Sequence, residues 1–158
     1  MSRAGVTAGA WRFLSIGAGA ILLSACASVS LDEPFEGTPW RLVQLEGQSV
    51  SAMGGDPKAE PRVQFSAGST GNDLRVTGSG GCNRLSGNYR RSDSALRIGP
   101  IASTRMACTD PTRMVIESRF VAALEATTSF IIKGGQLTLL NRSALPLAVL
   151  ELGLRDQP

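Results

Sequence analysis

"DPTRMVIESRFVAALEAT", residues 110–127, decides the fold, because it is the one stretch of the chain that reads as a convincing amphipathic helix. Asp110 stands where an N-cap carboxylate accepts from the free amides of the first turn. Pro111 suits the first helical position, where no N–H is needed. Ile116, Phe120, Leu124 and Thr127 then recur at intervals of four, four and three, on one side of the turns. The spacing predicts a helix over 111–128 whose apolar stripe closes one side of a curved sheet.

Everything outward from that helix reads as short strands and turns. "WRLVQLEG" (40–47) alternates, with Trp40, Leu42 and Gln44 on one face and Arg41, Val43 and Leu45 on the other. "VSAMGGDPKAEP" (50–61) is turn material, rich in Gly and Pro. "RVQF" (62–65) and "LRVTGSGG" (74–81) read as strands, the latter with Leu74 and Val76 on one face. "GNYRR" (87–91) and "ALRI" (95–98) read as a hairpin around Ser92-Asp93-Ser94. Beyond the helix, "SFIIK" and "QLTLL" flank Gly134-Gly135, a hairpin signal. "LPLAVLEL" (145–152) supplies a last strand with Pro146 near its start, where a missing N–H is tolerated. The expectation is an α+β domain, mainly antiparallel β, as a small curled sheet or partly open barrel packed on one α-helix.

The N-terminus belongs to a different problem. Arg3 and Arg12 precede an apolar run, Phe13 to Leu23, that is too short for the ~20 residues of a spanning helix. Leu23-Ser24-Ala25-Cys26 follows and looks like a bacterial lipobox, which implies cleavage before Cys26 and acylation of its thiol and new amine. This divides the chain into a signal peptide (1–25), a lipidated Cys26 with a flexible stalk (26–38), one domain (39–152) and a tail (153–158). Two or more acyl chains anchor stably where one does not. Ala27, where an aspartate would favour the inner membrane, points to the outer membrane, facing the periplasm.

Chemistry is bounded by what is missing. There is no histidine in the chain, so Ser-His-Asp, Cys-His and His-ligated zinc sites are excluded. The acids are scattered through turns and the helix, and the glycines match neither the P-loop nor the dinucleotide fingerprint. The expectation is therefore no enzyme, no metal and no cofactor. With Arg3 and Arg12 removed, the remaining cations nearly balance the 13 acids, and nothing in that composition argues for nucleic acid. With Cys26 lipidated, Cys82 and Cys108 remain. An even remainder in an exported domain points to a disulfide, worth about 3.5 kcal/mol in the chain-entropy account. Two separate buried thiols, or one reactive thiol, are the alternatives. Around Cys82, "GSGGCNRLSGNY" (78–89) then reads as punctuation, with Gly78, Gly80, Gly81 and Gly87 at strand ends and close approaches, and Asn83 tolerant of the same turn region.

These residues also carry a resemblance. Trp40 leading the first strand, Gly81-Cys82-Asn83, Gly87-Asn88-Tyr89, Thr104-Arg105-Met106-Ala107-Cys108 and the helix with Glu117 resemble the META domain, over about residues 38–152. The resemblance implies a small antiparallel barrel-like domain with one helix and no established catalytic site. It also implies association with the cell envelope, heat-shock induction and novobiocin resistance. It makes the motif residues structural: Tyr89 and Met106 as core pieces, Thr104 as a local hydrogen-bonding residue.

Arg84, Arg90, Arg91, Arg97 and Arg105 crowd into 22 residues with Asp93 as the only acid among them. They read either as a basic face beside an anionic envelope surface or, more plainly, as solvated strand residues that guard sheet edges. The functional expectation is a membrane-anchored, non-enzymatic lipoprotein acting in envelope maintenance or stress and antibiotic tolerance through a protein partner. The rival is a carrier of a lipid or another apolar ligand. The first requires a filled core, the second a cavity.

Overall fold

A computed structural model describes residues 34–51, 60–68 and 73–153. The signal peptide, Cys26 and most of the stalk lie outside the described residues, as does the tail from 154.

The element order is β1 (Pro39–Leu45), β2 (Gln48–Ser49), β3 (Arg62–Ala67), β4 (Leu74–Ser79), β5 (Arg84–Ser92), β6 (Ala95–Ile98), β7 (Ala102–Ser103), α1 (Pro111–Ala126), β8 (Ser129–Lys133), β9 (Gln136–Leu140) and β10 (Pro146–Leu152). The strands β1, β3, β4, β5, β6, β8, β9 and β10 are neighbours in that order, and β10 pairs back onto β1. The barrel is therefore closed, which corrects the expectation of a curled sheet or partly open barrel. The closing pair joins the two ends of the domain, Trp40 opposite Leu152 and Leu45 opposite Ala148. Nothing in either strand alone announces it. β2 folds back to pair antiparallel with the end of β1, and β7 extends the pairing of β5 beyond β6.

Alternation supplies the interior. Val63 and Phe65 of β3, Val76 of β4, Leu85 and Tyr89 of β5, and Leu137 and Leu139 of β9 are all buried. In an eight-stranded ring such side chains are just large enough to fill the space. β1 departs from strict alternation. Its register against β10 shifts between Leu42 and Gln44, a bulge, and beyond it Leu45 rather than Gln44 points inward beside Trp40 and Leu42. The assignment of Leu45 to the outer face is thus corrected: one extra residue inverts every later position.

The helix forms where expected. Asp110 caps it, accepting from the Thr112 N–H at 2.8 Å, with Pro111 first in line. Ile116, Phe120, Ala123 and Leu124 are buried, and Thr127 beyond them is buried with its hydroxyl donating to the Ala123 carbonyl at 2.8 Å. The helix packs on β1, β6 and β10 and covers one end of the barrel. Arg119 reaches Glu46 in the β1–β2 turn, at 3.0 Å from Nε. Gly134 and Gly135, both at positive φ, make the tight β8–β9 turn, whose geometry suits residues without a Cβ.

The opposite end is covered by residues read as stalk. Phe35 is buried, stacked on Phe65 at 4.3 Å between ring centroids and tilted against Phe130 at 4.6 Å. The Gly37 N–H donates to the Phe65 carbonyl and the Trp40 indole N–H to the Phe35 carbonyl. The packed domain therefore begins before residue 39, and this segment is its plug.

Candidate functional site

The family-type motifs converge at the helix end of the barrel. Gly80 to Asn83 form the tight connection between β4 and β5, and Thr104 to Cys108 lead from β7 into the helix. Gly81 has φ +101°, and a Cβ on Gly80 would collide with the Glu117 side chain. Both positions thus require glycine.

Asn83 joins three segments. Its side-chain amide donates to Glu117 Oε1 at 2.8 Å, and its backbone N–H donates to Glu117 Oε2 at 2.6 Å. Its Oδ1 accepts from the Met106 N–H at 2.7 Å and the Thr104 hydroxyl at 3.0 Å. Thr104 in turn accepts from the Arg84 N–H at 3.1 Å. Ser103 Oγ lies 3.3 Å from Glu117 Oε1. Alongside, Cys82 and Cys108 are joined as a disulfide, with Cα atoms 6.0 Å apart. The disulfide and the amide–carboxylate pair therefore tie the β4–β5 turn to the segment before the helix and to the helix itself.

Several expected roles change in detail. Asn83 does not sit at positive φ; its amide, not its backbone tolerance, is what the site uses. Met106 is not a core piece. Its side chain is 59% exposed, and only its N–H enters the network. Tyr89 and Trp40 are core residues, Thr104 is the local hydrogen-bonding residue, and Gly87 lies against Ile101 where a Cβ would crowd it. Glu117, named in the motif only as part of its helix, is the partner of Asn83, a role the motif did not assign. Its position carried a signal, since it precedes Phe120 by three and Leu124 by seven, on the buried stripe. A carboxylate there needs donors.

Chemically the arrangement is a brace. Both Glu117 oxygens are engaged by donors, and the only sulfurs beside them are bonded to each other. Among the described residues no three of His, Cys, Asp and Glu converge as a metal site would require.

The family model named META domain matches residues 33–153. The chain belongs to the META-domain family. The match begins at the plug segment, consistent with Phe35 being part of the META domain's core. A protein from Burkholderia xenovorans solved by NMR is 26% identical, with a TM-score of 0.56, covering 77% of this chain and 85% of its own. A second protein solved by NMR is 23% identical with a TM-score of 0.56, covering 75% of this chain and 91% of its own. The crystal structure of a duf4847 family protein from Bacteroides vulgatus shares the fold at 15% identity and a TM-score of 0.50, covering 78% and 96%. No curated protein matches the chain.

A second set of polar residues gathers at the plugged end of this META domain. Glu36 accepts from the Tyr89 hydroxyl at 3.0 Å and from Arg91 at 3.1 Å. The Arg91 guanidinium lies over the rings of Phe35 and Phe130, at 5.1 and 5.6 Å. Burial first, and the Glu36 acceptor second, push the Tyr89 phenol well above its ordinary range. Of the five clustered arginines, Arg91 is thus bound into the plug. Arg84, Arg90, Arg97 and Arg105 stand exposed.

Proposed function

We propose that this META-domain protein is a non-enzymatic lipoprotein, held to the cell envelope by lipid on Cys26, that serves envelope maintenance or stress tolerance by contact with another envelope protein. The observation that carries partner contact over ligand carriage is the filled barrel. Trp40, Leu42, Phe65, Leu96, Phe120 and Leu139 are at most 1% exposed and occupy the interior, and both ends are covered by α1 and Phe35. Recognition then falls to the outer surface. There Met106, Met114 and Val115 are all more than half exposed around the start of the helix, an apolar group of the kind that protein contacts use. The braced helix end is rigid, which lowers the ordering cost of docking there.

Two measurements test this. Cys26→Ser in the full chain is expected to abolish partitioning into the detergent phase, and unchanged partitioning removes the anchor. Photo-crosslinking from position 114 in cells is expected to trap a discrete envelope protein. Extra mass on the purified domain that disappears on denaturation would instead establish the carrier.

A further inference from the structure

Edge protection is not the whole account of the arginine cluster. Charged residues guard exposed sheet edges, but from Arg84 to Asn88 β5 is paired with β4 on one side, and on the other Leu85 and Ser86 pair with β7 and the Arg84 carbonyl accepts from the Thr104 N–H. At Arg84 there is thus no edge for β5 to guard. Its outward positions nevertheless carry Arg84 and Arg90, and Arg97 of β6 stands directly opposite Arg90. Two like charges at a cross-strand pair are unfavourable. Arg105 follows Thr104, whose N–H donates to the Arg84 carbonyl, so it extends the row past β7.

Among the described residues no acid answers these four, which sets them apart from five other arginines. Arg41, Arg75, Arg91, Arg113 and Arg119 each pair with a carboxylate, whereas among the described residues no carboxylate pairs with Arg84, Arg90, Arg97 or Arg105. Asp73, just before β4, is occupied by Arg75, and Asp93 sits at the hairpin tip. Arg84 and Arg90, six residues apart in β5, are separated by roughly 20 Å. Shallow grooves flank them, one of about 320 Å³ between Arg90 and Arg97 and one of about 420 Å³ beside Arg84.

We infer that this outer face of β5 and β6 lies against the anionic phospholipid headgroups of the membrane that holds the protein, an inference that rests on the lipid-anchor reading. Chain geometry selects the membrane as the occupant. The plug segment enters the fold beside Arg91, with Glu36 bonded to it, and Arg90 and Arg97 are its immediate neighbours. From Cys26 to Phe35 the chain can span at most about 30 Å. An anchor on Cys26 therefore brings the bilayer surface to the end of the barrel where the four arginines begin. Each basic residue near an anionic leaflet contributes roughly fivefold to binding, and bidentate guanidinium–phosphate pairing suits the headgroup.

The closed ring and both its covers lie within residues 34–153, so residues 27–158, made without lipid, carry the whole fold and isolate the surface from the anchor. Co-sedimentation compares vesicles of phosphatidylcholine alone with vesicles of equal parts phosphatidylcholine and phosphatidylglycerol. Binding is expected only to the anionic vesicles and is expected to fall with added salt. Arg90→Gln with Arg97→Gln should weaken it about 25-fold, and Arg84→Gln alone about fivefold. Arg142→Gln, in the β9–β10 turn, should bind as the parent does. No binding to either vesicle, equal binding to both, or an Arg142→Gln loss as large as that of the double variant overturns the inference. Because no lipid is present on the protein, failure of the anchor appears only in the Cys26→Ser partitioning and failure of the surface only here.

Discussion

The helix end of the barrel is closed by a disulfide and an amide–carboxylate network, whereas the other end is closed by stacked rings and one partly exposed ion pair. The first joins segments internal to the fold. The second uses Phe35 and Glu36, the last residues of the segment that leads to Cys26. Polar bonds are directional and fix three segments in one arrangement, while ring contacts tolerate small displacements. The end where the chain enters the fold is thus closed by ring contacts and an ion pair, and the far end is held covalently.

The comparison can be broken at either end. Removing the disulfide with Cys82→Ala and Cys108→Ala should have the largest effect, about 3.5 kcal/mol of unfolding free energy in urea titrations. Phe35→Ala should follow at about 3 kcal/mol, because a nearly buried ring leaves a cavity among Phe65, Tyr89 and Phe130. Asn83→Ala should cost about 2 kcal/mol by leaving the Met106 N–H and part of Glu117 without partners. Combined with Phe35→Ala it should be additive within roughly 0.5 kcal/mol, since the two ends share no partners. Marked non-additivity would mean the ends are not separate. Arg91→Gln should cost only about 1 kcal/mol, because Arg91 and Glu36 are about one-third exposed and solvent screens them.

The smallest effect at neutral pH is in Tyr89, and it sharpens the assignment of the plug. The folded state favours the neutral phenol, so this contribution is fully present below the unfolded value of about 10 and is lost as pH rises above it toward the raised folded value. Tyr89 is the only tyrosine, so absorbance near the tyrosinate band reports it alone. An ordinary titration midpoint in the folded protein would show that Glu36 and the plug do not cover it.

How much of this was legible depended on the range of the interaction. Asp110, Pro111 and the stripe from Ile116 to Thr127 specify the helix because cap and face are set within a few residues. Gly134-Gly135 likewise specifies its turn. The bulge in β1 was not legible, since it exists only against β10, and it moved Leu45 to the inside. Exposure of Met106 was not legible either: its motif neighbours Thr104 and Asn83 use its backbone, and the side chain is left over.

The sequence by itself determined the one helix, the antiparallel character of the rest and the likeness to the META domain. These follow from local spacing and motif order, whereas the bond between Cys82 and Cys108 was one of several readings until the fold brought them together. Only the tertiary structure decided that the barrel closes, that Phe35 plugs it, that Asn83 braces Glu117 and that four arginines share a face with no acid paired to them among the described residues. Each of those brings together residues far apart in the chain. A pattern of period two or 3.6 says which side of its own element a residue occupies, and not which residue will stand opposite.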